Sequence, residues 1–254
     1  MDVGAARLAG APSGAYALSL RNAALDLRRF RRVLAVFPHA DDETITCGGA
    51  IRRFADAGAA ITLVILTAGE RGSPTGVVDL GLKEVRRREA EQAARILGIA
   101  RVIQEDFGDG RLVQRRPEVE PFLATTIAQV GPDLLLTHDL SGVYGHPDHV
   151  TCAELITELR QARFPGLPLW YVALPRWGLR VLHLVGQIRP DPSVDSRRAP
   201  PTHRLFIGPA LRAKIRAWTA HRSQQAAIPK GLTRLVPSWL AAGVWPFEYF
   251  AEVP

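Results

Sequence analysis

His39, Asp41, Asp42 and Glu43 stand in one short stretch, Pro38-His39-Ala40-Asp41-Asp42-Glu43. Each of these four side chains can hold a metal or move a proton. His39 and Asp42 offer nitrogen and oxygen donors three residues apart. Two donors are too few for catalytic zinc, which takes about three protein ligands and leaves one position for water. The remaining donor must come from elsewhere, and one other stretch is comparably dense: Tyr144-Gly145-His146-Pro147-Asp148-His149. Pro147 suits the first position of a helix. His146 and His149 then lie three residues apart at a helix start and can point toward one spot.

An open metal position beside spare acids and bases fits hydrolysis better than a structural ion. Structural zinc sites are usually closed by four ligands, often cysteines. Zinc lowers the pKa of a water toward about 7. Asp41, the carboxylate left beside the metal, is the candidate general base for attack on an amide carbonyl. Tyr144 is a candidate donor to the oxyanion. His146 can supply the leaving amine's proton or stabilise charge, with Asp148 holding its ring.

Together the two stretches resemble the PIG-L/LmbE-like family of zinc-dependent N-acetylglucosaminyl deacetylases, over roughly residues 33–225. Ala40 stands where that family usually has proline, a change that bears on loop rigidity and not on the ligands. The resemblance implies metal ligands at His39, Asp42 and His149, and supports Asp41 as base. It implies that Arg86, in Arg86-x-x-Glu89, reaches the substrate, and that Asp109 accepts hydrogen bonds from sugar hydroxyls. By itself Asp109 also reads as a turn residue between Gly108 and Gly110. The expected reaction is removal of an N-acetyl group from a glucosamine-containing small molecule. Two alternatives remain: an amidase for a larger acyl or thiol-conjugated glucosaminyl amide, and a non-catalytic sugar- or lipid-binding protein that keeps the metal. Zinc is the expected ion, one per chain, although iron(II) or cobalt(II) would accept the same donors.

These residues need a scaffold that gathers them. Val33–Phe37 is a short apolar run that reads as a buried strand ending at Pro38. Strands are also predicted at 60–67, 102–105, 133–137 and 169–174. Helices are predicted at 44–57, 82–97, 117–130 and 147–162. Alternating strands and helices predict an α/β, Rossmann-like three-layer fold with a mainly parallel sheet. Ligands bind at the carboxyl ends of such strands. Right-handed crossovers bring the loops bearing His39, Glu70, Asp109 and His149 to one edge, and Glu70 joins Arg86 and Asp109 as a candidate substrate contact. Gly48-Gly49 follows the acidic cluster instead of opening the turn, so close helix packing is expected there. The 1–30 segment reads as an extension, with a short helix over 16–30. Residues 31–254 read as one domain whose part beyond about 165 rims the cleft. In that part 189–202 is a proline-rich loop that could act as a lid. An edge strand is expected at 203–207, a helix at 211–225, and an aromatic tail at 245–250 that packs on the sheet or rims the cleft. His221, on that last helix, reads as a pocket residue or as a cap or core residue.

The chain has 254 residues, 47% hydrophobic and 22% charged, the balance of an ordinary globule with room for a large core. Cys47 and Cys152 form no disulfide framework and read as small buried residues. The net charge of +7 favours acidic partners. No nucleic-acid motif accompanies it. Residues 176–188 place Arg176, Arg180, His183 and Gln187 on one helical face and Trp177 with aliphatic residues on the other. That pattern allows weak association with an anionic membrane, or packing on the domain itself. No secretory segment and no apolar run of spanning length is visible, so a cytoplasmic protein is expected.

Overall fold

In a computed structural model of the protein, residues 26–72, 80–184, 188–225 and 245–254 are described. The chain lays down β1 (Arg32–Phe37), α1 (Asp42–Asp56), β2 (Ala60–Ile65), α2 (Leu80–Leu97), β3 (Arg101–Gln104) and α3 (Arg116–Val130). Then come β4 (Leu134–His138), the single turn α4 (Gly142–Gly145), α5 (Pro147–Arg163), β5 (Leu169–Val172) and α6 (Arg176–Leu184). The last elements are the short α7 (Pro192–Asp195), β6 (His203–Phe206), α8 (Leu211–Ala220), α9 (Arg222–Gln225) and β7 (Phe247–Val253).

The strands form one sheet in the order β3-β2-β1-β4-β5-β7-β6. β1 to β5 run parallel, and β7 is antiparallel to both β5 and β6. Side chains alternate faces along a strand, so each central strand feeds two cores. Val33, Ala35, Phe37, Ile61, Leu63 and Ile65 pack with residues of α1, α2 and α8. Leu34, Val36, Val64 and Leu66 pack with residues of α3 and α5 on the other face. Burial on both faces explains why these strands read as unbroken apolar runs. The expected α/β architecture is the one observed.

Three expectations need correction. The aromatic tail neither covers the sheet nor merely rims it: residues from Phe247 form β7, inserted between β5 and β6. The helix expected over 211–225 breaks at His221, giving α8 and α9. Of the helix expected over 16–30, the described part is only a 3-10 turn, Leu27–Arg29; its earlier residues lie outside the described ones. β6 is the edge strand the sequence predicts. In the 189–202 loop, Asp191 caps α7 by accepting from the backbone N–H groups of Ser193 and Val194.

Gly49 does serve close packing, since a Cβ there would meet Ile207 Cδ1 at 2.4 Å. α1 is bent at Cys47, whose φ is −143°. The bend turns the N–H groups of Gly49 and Ala50 to Glu248 on β7, at 2.9 and 2.7 Å. Lys214 of α8 pairs with the same carboxylate at 2.6 Å, both side chains being buried. β7 and α8 thus brace the helix that carries Asp42. Both cysteines are buried and unpaired, and burial pushes the Cys152 thiol up to about 12. Among the described residues no helix is long and apolar enough to cross a membrane. Trp177 of α6 packs edge-on against Trp245 at 5.3 Å and Tyr249 at 6.3 Å. Leu184 at the end of that helix is exposed, and Gln187 lies outside the described residues.

Candidate active site

β1 ends at Phe37 and its continuation is held rigidly. Pro38 O accepts from the backbone N–H and the hydroxyl of Thr67, at 3.0 and 2.9 Å. The chain then reverses through Asp41, which has φ +105°, a left-handed value that costs a residue with a Cβ free energy. Two buried groups stabilise that turn. Arg86 Nη2 donates to Ala40 O at 2.7 Å, and Nη1 donates to Gly69 O at 3.1 Å. Glu43 accepts from the Asp41 N–H at 3.2 Å and from the Thr44 hydroxyl at 2.7 Å, with His221 Nε2 3.6 Å away. Gly69, with φ +68°, has no room for a Cβ, which would strike the Arg86 guanidinium at 2.6 Å.

The turn delivers His39 and Asp42 to the first turn of α5. His39 Nδ1 lies 3.2 Å from His149 Nε2 and 3.5 Å from Asp42 Oδ2, and His149 Nε2 lies 3.4 Å from Asp42 Oδ1. Bonds of about 2.0–2.1 Å to a tetrahedral ion separate neighbouring donors by about 3.3–3.4 Å. The two imidazoles and the Asp42 carboxylate, which turns one oxygen to each ring, therefore stand close to coordination-edge spacing, although they come from the loop after β1, from α1 and from α5. All three residues are buried. This chemistry and spacing fit a divalent ion of the zinc type.

Behind His39 stands a pair of carboxylates. Its Nε2 meets Asp109 Oδ1 at 3.1 Å and Asp148 Oδ2 at 3.2 Å. Such partners fix the tautomer and orientation of a ligating histidine. Burial opposes charge on His39, but the hydrogen bonds to Asp109, Asp148 and Asp42 prevail and hold its pKa well above the usual value. Burial alone would raise Asp109, yet its bond to His39 and the Arg71 N–H bring it down to about 2. Asp148 also accepts from the N–H groups of Gly110 and Leu112, at 2.6 and 3.1 Å.

These contacts differ from the sequence expectation at four residues. The Asp148 carboxylate holds His39, not His146; what reaches His146 Nδ1 is the Asp148 backbone N–H, at 3.2 Å. Both oxygens of Asp109, expected to meet sugar hydroxyls, are engaged by His39 and by the Arg71 N–H at 3.0 Å. Arg86 is only 3% exposed and ties two backbone carbonyls with its Nη2 3.6 Å from Asp41 Oδ1, so it anchors the turn, and its one unpartnered nitrogen, Nε, is buried. Glu70 Oε1 accepts from the Asp109 N–H at 3.1 Å and supports that loop.

The open side carries Asp41, His146 and Tyr144. Burial raises the Asp41 pKa to about 6, against the opposing charge of Arg86. The His146 ring is half-buried and lies 4.9 Å from His39 and 4.8 Å from His149, centroid to centroid. Burial lowers its pKa, with the His39 charge adding to the effect. Tyr144 is 53% exposed, its ring 5.4 Å from His149. Burial of the hydroxyl end raises its pKa, and the surrounding aspartates add to the shift. Val143 before it has φ +65°, a second strained residue beside the site.

His138 is the residue the sequence reading passed over. It ends β4, is fully buried, stacks on His149 at 4.3 Å with ring planes 8° apart, and puts Nε2 3.6 Å from Asp42 Oδ2. Neither of its ring nitrogens has a hydrogen-bond partner. With Asp42 and His149 it forms a further donor group able to hold an ion. The available signal was positional: like His39, it follows a buried apolar run at the carboxyl edge of the sheet.

Residues 34–159, from β1 through most of α5, match the PIG-L family, described as GlcNAc-PI de-N-acetylase. The diacetylchitobiose deacetylase of Thermococcus kodakarensis is 31% identical in a 201-residue alignment that covers 76% of this chain and 70% of that protein. The chain belongs to the PIG-L family. A second relative, the 1D-myo-inositol 2-acetamido-2-deoxy-alpha-D-glucopyranoside deacetylase of Rhodococcus opacus, is 29% identical over an alignment that covers 88% of this chain and 91% of that protein. The fold is also that of N,N'-diacetylchitobiose deacetylase from Pyrococcus horikoshii, with TM-score 0.62 at 24% identity over 92% of this chain and 87% of that one. A zinc-inhibited form of teicoplanin deacetylase Orf2 shares the fold as well, with TM-score 0.63 at 14% identity over 87% and 98% of the two chains.

Proposed function

We propose that this PIG-L-family chain hydrolyses the N-acyl amide, in the simplest case N-acetyl, of a glucosamine-containing small molecule, using one zinc ion held by His39, Asp42 and His149. The observation that carries the reading is the convergence of those three donors at coordination-edge spacing, with Asp41 beside them on the open side. The relatives named above are deacetylases of acetylated amino sugars, which supports the substrate class.

An ion held there would supply Lewis acidity, polarising the carbonyl oxygen and lowering the pKa of a water toward about 7. Asp41 is the general base. A carboxyl with a pKa raised to about 6 is ionised at neutral pH yet basic enough to take a proton from the attacking water. As the water oxygen bonds to the carbonyl carbon, Asp41 holds the proton that water loses. When the carbon–nitrogen bond breaks, Asp41 returns that proton to the departing nitrogen. The products are the amine and a carboxylate. His146 accepts the Asp148 N–H at Nδ1, so its neutral ring carries hydrogen at Nε2. It thereby faces the site as a donor to developing negative charge. Tyr144, kept protonated by its raised pKa, is a second such donor on the exposed side. Asp109 and Asp148 orient His39, and Arg86 and Glu43 hold the Asp41 turn.

Acetate release from a panel of N-acetylglucosaminides tests this directly. Metal-loaded protein should release acetate, chelator-stripped protein should not, and zinc should restore release. Equal activity before and after complete metal removal contradicts the reading.

A further inference from the structure

The candidate metal donors sit over the ends of β1 and β4, and the two flanks of that position are chemically unlike. On the β2 and β3 flank the loops carry Glu70, Arg71 and Asp109. On the β5 and β7 flank there is a cavity of about 250 Å³. Its walls include Ile45, Val172, Leu174, Trp177, Leu182 and Phe247. The cavity reaches the site itself, because Val143 and Tyr144 line it, as does Thr46, whose hydroxyl donates to Asp42 O at 2.6 Å.

The charged groups in this wall are engaged by the protein. Lys214 pairs with Glu248, which also takes two N–H groups of α1. Asp139 accepts from the Ser141 and Ala199 N–H groups, both at 3.1 Å, and Arg198 donates to Asp195 at 2.8 Å and to Ser141 at 3.2 Å. Arg198 Nη2 keeps no hydrogen-bond partner, and the rest of what faces the cavity is mostly aliphatic and aromatic carbon. A sugar ring would lose the hydration of its hydroxyls there with little in return, whereas an alkyl chain gains by leaving water.

An amide bound with its carbonyl at the metal extends two arms: the amino sugar from nitrogen and the acyl group from carbon. On the polar flank the exposed Arg71 and the unpartnered Glu70 Oε2 are left to meet hydroxyl groups, and the apolar cavity on the other suits hydrocarbon. We infer that the cavity beside Tyr144 is an acyl subsite, and that this chain acts on amides whose acyl chain is several carbons longer than acetyl. The inference rests on the amide-hydrolase reading above and adds the substrate arm that the β5 and β7 flank selects. An acetyl methyl group reaches no further than the cavity mouth, while each further methylene that enters it can raise kcat/KM by up to about fourfold.

The test uses the metal-loaded full chain and two substrate series. One varies the acyl group of methyl glucosaminide from acetyl through butyryl and hexanoyl to octanoyl. The other keeps N-acetyl and lengthens an alkyl glycoside by the same steps. The hexanoyl-to-acetyl ratio of kcat/KM should be about tenfold or more, and the alkyl-glycoside series should be flat. Leu182→Trp, which fills the cavity, should bring the acyl ratio down to about one. Inhibition of the unmodified protein by free alkanoates should tighten with chain length, a readout that does not depend on the variant folding. An acyl ratio at or below one overturns the subsite, as does a gain that follows the glycoside chain instead, or a folded Leu182→Trp protein with an unchanged ratio. Acetyl cleavage without a length effect removes the subsite alone. No cleavage of any amide in either series removes the hydrolase reading, and the subsite with it.

Discussion

The two loops that build the site are made differently. The 38–43 loop is buried and cross-linked, its turn tied by Arg86, Glu43 and Thr67 from three directions. The 143–149 loop begins with a strained Val143 and an exposed Tyr144, and becomes buried only at Asp148 and His149. Metal donors need fixed positions, because sub-ångström errors weaken coordination. Groups that meet developing charge must admit a substrate first. The contrast therefore divides the site into a preorganised floor and an accessible rim.

Breaking the floor should have the largest effect. His149→Ala should lower bound metal from one ion per chain to well below that and reduce kcat/KM by about 10³-fold or more, as read by metal analysis and acetate release. Full metal occupancy in that variant would place the ion elsewhere. Arg86→Met removes the bonds that tie Ala40 O of the Asp41 turn to Gly69 O of the neighbouring loop, and the charge that opposes burial at Asp41. A fall in kcat of about 10²-fold is expected from the misplaced base. The sign of its pH effect follows from the cause: without Arg86 the Asp41 pKa rises above about 6, so the acidic limb of the rate profile should move to higher pH. A limb that stays put or moves down would separate Asp41 from that limb.

At the rim the expected effects are smaller. Tyr144→Phe should reduce kcat by about 10–100-fold with little change in KM, because one donor to transition-state charge is removed and the ring is kept. A change confined to KM would make Tyr144 a ground-state contact. The smallest effect on chemistry should come from Gly49→Ala, which touches no site residue. Its Cβ would overlap Ile207, so thermal unfolding should show destabilisation of about 1–3 kcal/mol with kcat per folded molecule retained.

Much of this was legible in the sequence because it depends on short-range pattern. Val33–Phe37 is a doubly buried strand, and His39 and Asp42 follow it directly, so strand and donors could be read together. The alternation of strands and helices then set which loops share an edge. What could not be read was the partner each carboxylate faces. Asp148 and His149 are adjacent in sequence but about 100° apart around α5, and only packing shows that the first turns to the back of His39 while the second turns to its front. Arg86 looked like a substrate residue because burial cannot be seen in a run of basic residues. Glu248 lay in an aromatic tail with a proline before it, and its partners, the Gly49 and Ala50 N–H groups, follow the bend at Cys47, which has no local sequence signal.

The central claim is that His39, Asp42 and His149 hold the ion while Asp41 moves the proton. Asp41→Asn keeps the shape of the turn and removes the base, so metal content and acetate release should be measured on the same preparation. One ion per chain with activity reduced about 10²–10⁴-fold is the predicted result. Activity near that of the unmodified protein, with the ion still bound, would contradict it.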